Sequence, residues 1–131
     1  MKYLSDYTNQ KQTELFNRTG TFFAFSKQQY EEEAVDGVKY ASLDGGFIVP
    51  KDNIDELLTG LESIHTDGIS QDIAENGIKG IIWRELANHE AQITCDITET
   101  VESLEGYPIT RKDVQAQWAG YWNNCVENNY F

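Results

Sequence analysis

The residues best suited to chemistry gather between Ile81 and Thr98, IIWRELANHEAQITCDIT, where Glu85, His89, Glu90 and Asp96 follow one another closely. Glu85 and His89 are four apart, so a helix places them on one face. His65 is the second histidine and lies in the preceding apolar-striped segment. A histidine flanked by carboxylates can bind a divalent metal or act as a general base, so His65, Glu85, His89 and Asp96 define a metal-assisted hydrolase hypothesis. The spacing argues against it. His89-Glu90 is followed by Ala91, Gln92 and Ile93, so the second histidine of the H-E-x-x-H helix is missing. A local Glu85–His89 hydrogen bond on a helix edge is the simpler expectation, and neither a metal nor a cofactor is expected. Cys95 has no neighbouring cation to activate it as a nucleophile.

Arg84 is conspicuous in a chain with few bases. Its planar fork suits either an internal carboxylate cluster or an anionic ligand. The C-terminal aromatics Trp118, Tyr121, Trp122, Tyr130 and Phe131 form a further group; at helical spacing such residues usually fill a core, and otherwise they make an interface. The ligand-binding candidates are therefore Arg84, Glu85, His89, Trp118 and Trp122. Asp44-Gly45-Gly46 is a turn without the glycine spacing or lysine of a phosphate loop.

These residues need a scaffold. The 131 residues are 40% hydrophobic and 12% aromatic, enough for a folded core and consistent with one α+β domain over 1–131. Ser5 is placed to cap a first helix that Gly20 stops. Thr21–Phe25 reads as a buried strand, and Ser26 with Gln29 opens a short helix, KQQYEEEA. Val38–Leu43 and Phe47–Val49 flank the glycine turn as a hairpin. The N-terminal third thus predicts a small three-stranded antiparallel sheet packed with several helices. After Pro50, apolar residues from Ile54 onward recur at helical spacing; Asp67-Gly68 is a possible break and Asn76-Gly77 a helix stop. A new helical pattern runs from Ile78 through Ala91 and includes ELANHEA. Asp96 with Glu99 and Thr110 with Asp113 are capping-box patterns for two further helices.

Twenty-two acidic and ten basic residues give a net charge of −12. A basic face for phosphates or anionic lipids is hard to build from that composition, so direct nucleic-acid and membrane binding are not expected. No apolar run is long enough to span a bilayer, and the N-terminus lacks the apolar core of a signal peptide. The expectation is a cytoplasmic protein with Cys95 and Cys125 as free thiols.

At FFAFSKQQ, ELANHEAQIT and ITRKDVQ the chain resembles a family of small proteins from phages, prophages and gut bacteria. The resemblance covers nearly the whole chain and brings no established activity. It implies a phage-encoded protein in the host cytosol that acts on a host macromolecule, of counter-defence or inhibitor type. With the acidity, this makes a non-enzymatic binding protein the leading expectation, its partner a host protein with a basic surface. The alternative is a protein that binds or sequesters a small anionic ligand such as a nucleotide signal, with homo-oligomerisation through the aromatic end compatible with either.

Overall fold

Helix-favouring stripes and glycine stops divide the chain into six helices and three short strands, described for residues 1–131 by a computed structural model. In order these are α1 (Leu4–Thr19), β1 (Phe22–Phe23), α2 (Lys27–Glu33), β2 (Tyr40–Leu43), β3 (Phe47–Pro50), a 3-10 turn (Lys51–Asn53), α3 (Ile54–Asn88), α4 (Ala91–Thr94), α5 (Thr98–Ser103) and α6 (Arg111–Asn128). The fold is α+β. Two compact units emerge, one of residues 5–68 and one of residues 1–4 with 69–131.

In the unit of residues 5–68 the sheet is antiparallel with order β1-β3-β2. The hairpin forms at the glycine turn, with Ala41 opposite Val49 and Leu43 opposite Phe47. Gly45 and Gly46 both take positive φ there, a conformation other residues adopt only under strain. Leu15, Val49 and Leu57 form the core, and Phe16, Phe23 and Phe47 cluster at ring distances of 4.7–5.7 Å. The strand read over Thr21–Phe25 is shorter than its composition implies. Only Phe22 and Phe23 pair with β3, and Phe23 and Phe25 are exposed. The α2 cap competes for this backbone: Gln29 Oε1 accepts the Phe25 N–H at 2.7 Å, while the Ser26 side chain accepts from the Gln29 N–H. Ser5 does not cap α1, which already begins at Leu4.

In the other unit Ile81, Ile82, Leu86, Ala91, Leu104, Val114 and Cys125 are buried together. Gly77 interrupts α3 at φ 69°, ψ 160°, a region essentially reserved for glycine, as the Asn76-Gly77 stop signal anticipates. Asp67-Gly68 causes no such break, and the helix continues through it. The ELANHEA helix is also shorter than its pattern: α3 ends at Asn88, Glu90 turns left-handed at φ 50°, and α4 is a single turn closed by left-handed Cys95. Asp96 does not form a capping box with Glu99. The N-cap of α5 is Ile97, and Asp96 Oδ1 instead accepts the Thr98 N–H at 2.9 Å. The Thr110–Asp113 capping box of α6 is complete. Cys95 and Cys125 are free thiols, and no helix is long and apolar enough to cross a membrane.

Candidate functional site

The second half of α3 carries two useful faces. Ile81, Ile82 and Leu86 enter the core, while Lys79, Gly80, Trp83, Arg84 and Ala87, at one-turn intervals, line a cavity of about 590 Å³. Met1, Tyr3, Gln92, Tyr121, Asn124 and Tyr130 complete its wall, all from the same unit.

Arg84 closes the inner side. Its Nη1 and Nη2 donate to Asp72 Oδ1 and Oδ2 at 2.8 and 3.0 Å, its Nε donates to Glu85 Oε1 at 2.8 Å, and Nη1 also reaches the Lys2 carbonyl at 3.0 Å. Asp72 is fully buried and accepts further bonds from Asn76 Nδ2 at 2.7 Å and the Tyr107 hydroxyl at 2.5 Å. Burial alone would raise the Asp72 pKa, but the bonds from Arg84, Tyr107 and Asn76 overcome it and hold the carboxyl below its ordinary value. Burial likewise disfavours the Arg84 charge, and the bonds to Asp72 and Glu85 overturn that and push its pKa up. Burial, and then its bond to Asp72, keeps the Tyr107 phenol protonated well above its usual range. Asp72 and Glu85 together outweigh the single Arg84 charge, so the Arg84 fork is committed to internal carboxyls.

The cavity wall is held as firmly. Gln92 is buried; its Oε1 accepts from the Tyr121 hydroxyl at 2.6 Å and its Nε2 donates to the Tyr130 carbonyl at 3.0 Å. Trp83 meets Tyr121 edge to face at 5.8 Å and donates its indole N–H to Gln117 Oε1 at 3.0 Å. Lys79 Nζ stands 5.1 Å from the Trp83 ring centre, and the Arg84 guanidinium 5.5 Å from that of Tyr3.

Of the five residues singled out from sequence, Arg84 alone lines this cavity. Glu85 lies behind it, bonded to Arg84 and to the Ser103 hydroxyl at 3.4 Å. His89 is half-buried beyond Glu85: its Nε2 is 3.7 Å from Glu85 Oε2 and its Nδ1 3.6 Å from Glu99 Oε2, and the buried Nε2 makes no hydrogen bond. The expected local Glu85–His89 bond is therefore only a loose polar contact. Trp118 and Trp122 form a series of tilted and edge-on ring contacts with Tyr121 and Phe131 at 5.2–6.1 Å, Trp118 packing against the core. His65 and Asp96 are both exposed, His65 in the other unit. No group of three or more His, Cys, Asp or Glu side chains is placed to hold a metal ion.

Sequence reading missed Asp72, Tyr107, Lys79, Trp83 and Gln92. Asp72 left a usable signal, since it interrupts the apolar stripe of Ile69 and Ile73, where a charge must be paired. Lys79 and Trp83 also stand one helical turn apart.

One protein-family model, described as a family of unknown function, matches residues 4–124. No curated protein and no solved structure matches the chain.

Proposed function

The chain belongs to DUF7659, and from that premise we propose that it is a non-enzymatic acidic binding protein, phage-encoded, that engages a basic surface on a host macromolecule as an inhibitor or counter-defence factor in the host cytosol. One observation carries the reading: 20 of the 22 acids and nine of the ten bases are exposed, which places −11 of the net charge on the surface. The buried charges are mutually bonded and add almost nothing to this field. A surface of that sign steers basic partners and repels nucleic acid. Supporting it, Asp72, Arg84 and Tyr107 bond within one buried network, and Tyr121, whose phenol burial also pushes up, donates to Gln92.

The test is capture of host proteins at low salt, identification of the partner, and affinity measured against ionic strength. A purified basic partner whose affinity falls steeply with salt supports the reading; no partner, or a salt-insensitive one, overturns it.

A second reading, small-ligand binding, is favoured by the preformed cavity over Trp83 and Tyr121. Its volume and aromatic walls are those of a small-molecule site.

A further inference from the structure

We propose that the cavity bounded by Tyr3, Lys79, Trp83, Arg84, Tyr121 and Tyr130 binds a planar aromatic anion. This rests on the small-ligand reading and names the ligand class.

The chain has 22 acidic residues, yet none lines this cavity, while two of its ten bases do. The wall itself thus carries no acid. The two bases are not equivalent. Arg84 is compensated by Asp72 and Glu85. Lys79 has no carboxylate partner and rests its ammonium on the Trp83 ring. One uncompensated positive charge therefore stands at the wall, and it calls for a ligand with a matching negative charge.

The remaining wall is aromatic. Indole and phenol faces bind flat ring systems by stacking and edge contacts. Trp83 and Tyr121 are locked by Gln117, Gln92 and each other, so little ordering entropy remains to be lost on binding. A cationic guest is the wrong fit, because the Trp83 and Tyr3 rings already hold the chain's own cations. When an anion enters, Lys79 exchanges its ring contact for a charge-assisted bond and frees the indole face for the ligand ring. Asn124, also in the wall, has an amide Nδ2 with no bond and supplies a further donor. Repulsion from any acid farther than about 8 Å away is largely screened at physiological salt.

Aromatic acids and nucleotides share this chemistry, so titration calorimetry on the full chain uses 2-naphthoate against neutral 2-naphthamide, and adenosine 5′-monophosphate against adenosine. At least one anion is expected to bind saturably and about tenfold more tightly than its neutral counterpart. Whichever pair shows the preference identifies the source. Lys79→Gln should bring the anion down to its neutral counterpart's affinity. Gly80→Leu should abolish both. A Cβ there would meet only Met1 Cε at 3.4 Å and Asn76 Cβ at 4.0 Å. The larger side chain therefore grows into the cavity from an unstrained helical position, and its melting temperature should be no lower than wild type. Equal binding of anion and neutral counterpart, or a preference that survives Lys79→Gln, overturns the proposed class and leaves the small-ligand reading standing. No binding by any of the four compounds overturns both.

Discussion

Asp72 and Arg84 are twelve residues apart on α3, and they still make two parallel hydrogen bonds at 2.8 and 3.0 Å. On an uninterrupted helix, twelve residues span about 18 Å, beyond the combined reach of the two side chains. The contact exists because Gly77, at φ 69° and ψ 160°, breaks the helical path between them. Gly77 is thus the backbone device that assembles the buried network, and the network fixes one side of the aromatic cavity.

Gly77→Ala should destabilise the protein by about 1–3 kcal/mol. A Cβ at this position meets nothing within 4 Å, so the cost is conformational and not steric. Urea unfolding of the variant measures it. A stability equal to wild type would show that the break is not required.

Asp72→Ala should cost about 3–5 kcal/mol, because it leaves Arg84 and Tyr107 buried with lost partners. Replacing Asp72 and Arg84 together by apolar residues should cost much less than the two single losses added, and a double-mutant cycle reads the coupling.

Acid should weaken the fold through the same carboxyl. The folded-state pKa of Asp72 lies below its ordinary value of 3.8, so the unfolded chain takes up the proton first as pH falls. The stabilisation is therefore complete above about pH 4–5 and disappears as pH drops through the folded-state pKa. Chemical unfolding across pH 2–6 should show this slope in wild type and a shallower one in Asp72→Asn.

Tyr107→Phe removes a single hydroxyl from Asp72 and keeps the ring in the core. The expected loss is about 1.5–3 kcal/mol, in the range for a hydrogen bond to a charged group. Its cavity walls are untouched, so ligand affinity should stay at the wild-type value while stability falls. Parallel calorimetry and unfolding separate the two effects.

Thr110→Ala should lose about 1 kcal/mol by removing the N-cap of α6. Thr110→Ser should keep most of it, and comparison of melting temperatures decides.

What the sequence determined by itself is the set of features governed by neighbours within one or two turns. The α+β class, the hairpin at Asp44-Gly45-Gly46, the stop at Gly77 and the capping box of Thr110 with Asp113 all follow from local backbone preference and apolar period. Where two local signals competed, sequence could not arbitrate. The Ser26–Gln29 cap drew Phe25 out of the strand, and Asp96 bonded to Thr98 instead of forming a box with Glu99. The tertiary structure alone decided what Arg84 holds and which aromatics make a cavity. Its partners lie at Lys2, Asp72 and Glu85, and the walls come from Tyr3, Trp83, Tyr121 and Tyr130. Those groups meet because the apolar faces of α3, α4 and α6 bury one another. Burial depends on area and shape and not on sequence distance, so it can bring together residues with no local signal of their meeting.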